Sequence, residues 1–231
     1  VVGTSMDAGK TTTAAHIISG FSDRGYRVAA IKFTGTSRMK DLGVFDKIGK
    51  PVLCVDFTLA GIPSDTSIPQ KDISRYAKGL LAYVTEQANP DIVVAELADD
   101  VLAHGTIPVL NDEEIMKNVR AVVLASDDFD KVIAYTHVLK ERWGIVPVGI
   151  TGPLANSLET TERIKDCLQI PAFNLVNPER MAEKNTLVEN IQEKAFGQYH
   201  FVQPDIALNR KFTFWLDNIL RMEPQELISK I

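Results

Sequence analysis

The chain has little of several things, and each scarcity removes a class of protein. Only two cysteines occur among 231 residues, Cys54 and Cys167. They are far apart, so neither a disulfide framework nor a zinc-ligand spacing is offered, and a reducing cytoplasm is the expected home. The four histidines, His16, His104, His137 and His200, share no ligand spacing, which argues against zinc chemistry. No cluster of lysine and arginine appears and the net charge is -5, a poor match for a phosphate backbone, so no nucleic-acid partner is expected. No apolar run approaches the roughly 20 residues that cross a bilayer, and no signal-peptide pattern opens the sequence. No membrane partner is expected either.

What is present is the balance of a globular protein, 45% apolar and 24% charged. Short apolar, β-branched runs at 27–33, 51–57, 91–97, 120–125 and 145–150 alternate with longer amphipathic stretches at 11–24, 70–88, 127–143 and 157–168. Nearly continuous apolar runs are strands covered on both faces, and intervening helices supply the crossovers of a parallel sheet. The expected fold is therefore α/β, a doubly wound, mainly parallel sheet. The segments 34–50 and 58–69 are polar and are expected to be loops at carboxyl ends of strands, where open α/β sheets bind ligands. Beyond Pro171 the alternation fades. Residues 178–194 are predicted helical and 211–222 carry an apolar cluster, so the division expected is a binding domain over 1–176 and a helical extension over 177–231. That tail either caps the sheet or pairs subunits into a homo-oligomer.

The strongest motif is Gly3-Thr4-Ser5-Met6-Asp7-Ala8-Gly9-Lys10-Thr11-Thr12, between the end of a strand and an amphipathic helix. Small residues let backbone amides curl around phosphate oxygens, the helix start adds positive charge, Lys10 reaches the terminal phosphates and Thr11 offers a hydroxyl to magnesium. All ten residues are candidate nucleotide contacts. Only Val1 and Val2 precede Gly3, whereas a strand usually supplies about four to six residues, so further residues are expected upstream. No Asn-Lys-x-Asp string reads guanine, which tilts the ligand towards ATP, and Mg2+ is the expected metal.

The glycine spacing is a variant, since Thr4 stands where the first glycine usually falls and Gly3 sits one step earlier. In this the loop resembles dethiobiotin synthetase and its relatives, which use ATP to activate small carboxyl or carbamate substrates. More of the chain, roughly residues 1–155, resembles the domain of unknown function 1611 family of P-loop NTPases. The likeness rests on Thr12-Thr13-Ala14, on Lys32-Phe33-Thr34-Gly35-Thr36 with Asp41, on Val55-Asp56-Phe57 with Ala60-Gly61-Ile62-Pro63-Ser64, and on Glu96-Leu97-Ala98-Asp99. It departs at Ser64-Asp65 and Asp100, where that family usually has Ser-Thr and glycine. A competing likeness, to molybdopterin-guanine dinucleotide biosynthesis protein B, lies in residues 25–32, but Phe33 follows the lysine where that family has histidine.

The remaining charged candidates end strands or follow them. Glu96 closes an apolar run, where a carboxylate without a metal or hydrogen-bonding partner is costly, and is the first candidate for magnesium beside Thr11. Asp41 is a third metal candidate. Asp56 either orients water, magnesium or substrate, or caps a turn. Lys32 either contacts substrate or transferred phosphate, as the matching lysine does in dethiobiotin synthetase, or reaches solvent. Arg38 and Lys40 are candidates for an anionic substrate, and residues 151–156 for base or ribose. Catalysis would fall to Lys10, Lys32 and Asp56. The sequence thus predicts a magnesium-dependent, ATP-using enzyme acting on a small anionic metabolite by phosphoryl transfer or ATP-driven activation. The alternatives are a regulatory or scaffold domain with little turnover, or an acetyl transferase of the D-amino-acid type that the family resemblance implies.

Overall fold

The structure is a computed structural model that describes residues 1–35 and 39–197. Thr36 and Arg38, the side chain of Lys40 and the apolar stretch at 211–222 lie outside the described residues. Among the described residues there are six strands, β1 (Val2–Gly3), β2 (Val28–Lys32), β3 (Leu53–Asp56), β4 (Ile92–Glu96), β5 (Val123–Ala125) and β6 (Gly149–Thr151). They form two parallel triplets, β3-β2-β4 and β1-β5-β6. The triplets meet edge to edge: the Val1 nitrogen donates to the Ala95 carbonyl at 2.6 Å and Leu97 N donates to the Val1 carbonyl at 3.0 Å. That is the slanted bonding of a parallel pair with Val1 opposite Glu96. The strand order is thus β3-β2-β4-β1-β5-β6, with every strand running the same way and β1 in the interior.

The strands form because both faces are covered. On β2, Ala29 and Ile31 join one apolar cluster while Val28 and Ala30 join the other, the period of two that a pleated strand imposes. One face carries α1 (Lys10–Ser22) and α8 (Met181–Phe196), which contribute Ile17, Ile18, Phe21, Leu187 and Val188. The opposite face carries α3 (Gln70–Ala88), α6 (Phe129–Trp143) and α7 (Leu158–Leu168), with Ile73, Leu80, Val132, Leu139 and Ile164. Side chains such as Phe21, Ile18 and Ile31 are almost wholly buried, and each contributes roughly 1.5–3 kcal/mol of hydrophobic stabilisation. α8 packs so closely on α1 that a Cβ on Gly20 would stand 2.5 Å from Val188 Cγ2.

Three elements differ from the sequence reading. The predicted loop at 34–50 contains α2 (Met39–Val44), continued by a π-helical turn over Phe45–Gly49. Gly43 and Gly49 weaken its helical signal, yet Gly49 lies against Ile18, 2.9 Å from where its Cβ would be, so tertiary contact outweighs propensity. The segment after β4 holds two short helices, α4 (Thr106–Asn111) and α5 (Glu113–Met116), too short to show a period. The run predicted at 145–150 becomes a strand only over Gly149–Thr151: Ile145 N donates to the Leu139 carbonyl in closing α6, and the first bond towards β5 comes from Val148 N to the Val122 carbonyl. Among the described residues no helix is long and apolar enough to cross a membrane.

Candidate functional site

The parallel arrangement brings the ends of β1, β2, β3 and β4 to one rim. Register places Asp56, Lys32 and Glu96 side by side, as Lys32 is opposite Asp56 on one flank and Glu96 on the other. Strand parity aims all three at the face that carries α1, since Cys54, Ala30 and Val94 two residues earlier pack in that cluster. Thr11, in the first turn of α1, completes the row by donating its hydroxyl to Glu96 Oε1 at 3.0 Å.

The loop from Gly3 to Thr12 closes around its own lysine. Lys10 Nζ donates to the carbonyls of Ser5 (2.5 Å) and Met6 (3.3 Å), and its methylenes pass directly over Gly3. A Cβ there would lie 2.7 Å from Lys10 Cδ. The displaced glycine of the variant spacing is thus explained: Gly3 makes room for the lysine stem. Thr4, in the usual glycine position, instead shares a 2.9 Å hydrogen bond with Ser126 Oγ at the end of β5. Ser5 Oγ donates to Asp127 at 3.1 Å. Gly9 adopts φ 88°, no side chain caps α1, and no acidic residue stands in its first turn. The helix therefore presents amides and partial positive charge without an internal anion. Met6 is largely exposed and Asp7 exposed at the loop tip, Ala8 is buried, and Thr12 is half-buried on the first turn.

Burial lowers the pKa of Lys10, opposed by the charges of Glu96 and Asp99. Burial raises that of Glu96, opposed by Lys32, by the Thr11 hydroxyl and by Lys10. Glu96 is 1% exposed, and its Oε2 finds no partner among the described residues. Lys32 pairs with Asp41 and stands 3.8 Å from Glu96 Oε1. Asp41, on α2, is thereby drawn to the same cluster. Asp56 accepts from the backbone and hydroxyl of Thr58 at 2.9 and 2.5 Å, capping the turn over Phe57–Ala60.

The donor set fits magnesium. That ion keeps several waters and takes only one or two protein carboxylates beside phosphate oxygens; Thr11 Oγ1 and the unpartnered Glu96 Oε2 offer such ligands. No group of three or more His, Cys, Asp or Glu suited to a metal occurs among the described residues, so an all-protein cage is not offered there. Beneath the loop lies the turn after β6: Gly152 abuts the Ala8 carbonyl, and Thr13 and Thr151 share a 2.8 Å hydrogen bond. Asn156, at the far end of that turn, accepts from Asn174 at 3.1 Å. A cavity of about 400 Å3 lies elsewhere, between the amino-terminal halves of β4 and β5, with Phe21, Val93, Leu110, Ala121 and Phe196 in its walls. Its lining is mainly apolar, with Asp91, Asn118 and Arg120 among its members, and includes none of Lys10, Thr11, Lys32 or Glu96.

One organising residue was not visible in the sequence. Asp65, 3% exposed, accepts from Gly35 N at 2.8 Å while its own amide donates to the Gly35 carbonyl at 3.1 Å. Its carboxylate fills the space where Gly105 has no side chain, 2.0 Å from an ideal Cβ. Thr34 Oγ1 accepts from Ala98 N and Thr106 Oγ1 donates to the Ala98 carbonyl. The loops after β2, β3 and β4 are therefore interlocked. A partner 30 residues away leaves no local pattern.

No family model and no curated protein matches the sequence. Similar solved structures include a domain of unknown function 1611 family protein from Anabaena variabilis (TM-score 0.51, 17% identity, 83% of this chain and 56% of that one). They also include the signal recognition particle receptor FtsY from Elizabethkingia anophelis in complex with GDP (TM-score 0.56, 16% identity, 82% and 61%). Chloroplast FtsY from Physcomitrella patens is comparable (TM-score 0.53, 15% identity, 82% and 63%). The chain thus spans less than two thirds of the length of each. At these identities the likeness speaks to the fold, and the family suggested by the sequence motifs is represented in it. The chain has the α/β fold of the P-loop NTPases.

Proposed function

We propose that the protein binds a nucleoside triphosphate with magnesium through the 3–12 loop and transfers or exploits its terminal phosphoryl group on a small anionic metabolite. The observation that carries this reading is the uncapped start of α1 beside a buried lysine whose ammonium, among the described residues, is satisfied only by the carbonyls of its own loop. An anion of phosphate shape would take over that ammonium and the free amides together. Thr11 and Glu96 would hold the metal, which when bound neutralises charge on the phosphates. Lys32, 8% exposed, would face the acceptor or the transferred group from the same rim. Asp41 keeps Lys32 in place, and Asp56 shapes the loop that follows β3. The base is proposed to be adenine, with residues 151–156 beside it. That the bound complexes of proteins with this fold include one with GDP makes guanine the comparison to run.

Calorimetric titration with ATP and GTP, with and without magnesium, tests the proposal. Lys10→Ala is expected to weaken triphosphate binding by about 100-fold, the scale of a lost charge-assisted contact. Turnover is expected to rise when a panel of carboxylate-bearing metabolites is added. Undiminished binding by Lys10→Ala would overturn the phosphate-loop reading, and tight binding without turnover across the panel would overturn the enzyme.

A further inference from the structure

Asp99 enters the site described above only through its charge on Lys10, and its backbone is left-handed. Its φ is 53°, a left-handed conformation that glycine adopts freely and that, among other residues, aspartate and asparagine visit at some cost. Both flanks fix it there. On one side Ala98 is gripped through its amide by Thr34 (2.6 Å) and through its carbonyl by Thr106 (2.9 Å). On the other, Asp100 forms an antiparallel bridge with Thr4 at the start of the phosphate loop, and its carboxylate accepts from Leu102 N at 2.7 Å. A glycine would meet this geometry at lower cost, so the carboxylate is not explained by the backbone.

The neighbouring carboxylates are engaged. Glu96 Oε1 holds Thr11, Asp41 holds Lys32, Asp56 holds Thr58, Asp100 holds Leu102 N, and Asp127 holds Ser5. Asp99 makes no hydrogen bond or ion pair among the described residues, is half-buried, and lies close enough for its charge to act on Lys10. Three residues before it, the unpartnered, buried Glu96 Oε2 independently marks this rim as a place that receives a ligand.

Resting on the nucleotide reading, the geometry points to Asp99 as the catalytic base of the transfer, accepting the proton of the attacking hydroxyl, which in basal hydrolysis is that of water. The water oxygen forms a bond to the terminal phosphorus as the bond from that phosphorus to the bridging oxygen breaks. The electron pair leaves on the nucleoside diphosphate, and the water proton passes to an Asp99 carboxylate oxygen. General-base assistance of this kind is worth about 10²- to 10⁴-fold in rate.

Asp99→Gly separates chemistry from backbone, because it removes the carboxylate while suiting the left-handed position. It is expected to unfold at the wild-type temperature or above and to bind nucleoside diphosphate alone as the wild type does. It should bind the diphosphate with aluminium fluoride, a mimic of the phosphoryl group in transfer, about tenfold more weakly. Turnover should fall about 100-fold with KM within threefold. Asp99→Asn should share the loss of turnover and lack the acid limb of the wild-type kcat profile. Turnover by Asp99→Gly within threefold of wild type, with the acid limb retained, would overturn the assignment while leaving Lys10-dependent binding intact. Wild-type protein that binds nucleotide through Lys10 but hydrolyses none would overturn it too. Loss of Lys10 dependence would instead strike the underlying reading.

Discussion

Gly152 is the residue whose replacement should most clearly separate backbone strain from steric conflict. It follows β6 with φ 96° and ψ -174°, a region that essentially only glycine occupies, at a cost of about 1–3 kcal/mol for other residues. A Cβ there would stand 2.3 Å from the Ala8 carbonyl oxygen, 2.5 Å from that of Ser126 and 2.9 Å from Ser126 N. All three are main-chain atoms that cannot swing aside, so relief requires the phosphate loop and the end of β5 to move apart, adding roughly 1–3 kcal/mol. Gly152→Ala should thus lose about 2–6 kcal/mol. Gly144, which ends α6 at φ 65°, is the control, because nothing lies within 4 Å of its Cβ position; Gly144→Ala should lose only the left-handed penalty of about 1–2 kcal/mol. For a chain of this size each kcal/mol shifts the unfolding midpoint by about 2–4 °C, so drops of about 10 °C and 4 °C are expected in thermal unfolding. Gly152→Ala should also weaken triphosphate binding, which Gly144→Ala should leave alone. Equal midpoint losses in the two variants would refute the packing argument.

Three further outcomes are expected. Asp65→Ala leaves the buried Gly35 amide unpaired and should destabilise by about 1–3 kcal/mol in denaturant unfolding, whereas Asp65→Asn keeps an acceptor and should recover most of that loss. Burial raises the pKa of Glu96, so the folded protein retains a proton that the unfolded chain releases near 4.5. The contribution of this group to stability therefore falls as pH rises from that value through the raised one. Glu96→Gln should flatten this part of the stability profile, leave the pH 7 midpoint unchanged or higher, and lose about tenfold in magnesium-dependent nucleotide affinity. Lys10, with its pKa lowered by burial, gives up its proton in the folded state below 10.5. Stability from this group rises with pH across that window while triphosphate affinity declines, and calorimetry in buffers of different ionisation enthalpy should register proton uptake on binding there. Lys10→Arg should bind with little pH dependence over the same range.

The alternation of apolar runs was enough to read the parallel sheet, because strands covered on both faces leave continuous Val, Ile and Ala stretches such as 28–31 and 92–95. Gln70–Ala88 coincides with its predicted bounds, since Asn89-Pro90 stops a helix for local reasons. Lys10, Thr11 and Glu96 could be placed at one site because each is tied to an element end, and parallel strands bring such ends to one edge. The position of Asp56 at a strand end suits both a turn cap and a functional group; it caps the Thr58 turn and stands in register with Lys32. Asp65 and Asp99 were out of reach for another reason: the first is placed by its contacts with Gly35 and Gly105, the second by a backbone angle beside an Ala98 held by Thr34 and Thr106, none of which leaves a period or spacing in the sequence. The helix at 39–49 was obscured by Gly43 and Gly49, the second of which packs on Ile18.

The double clasp of Asp65 on Gly35 also bears on where this protein can accept extra length. Adding a residue between 62 and 65 would shift both halves of the clasp at once and strand an amide and a carbonyl inside the protein. At Gly61 the backbone turns freely at φ 74° with nothing within 4 Å of the Cβ position, and Leu59 beside it faces solvent. Inserted sequence, natural or engineered, is best tolerated at that bend, a few residues before the point at which none can be accommodated.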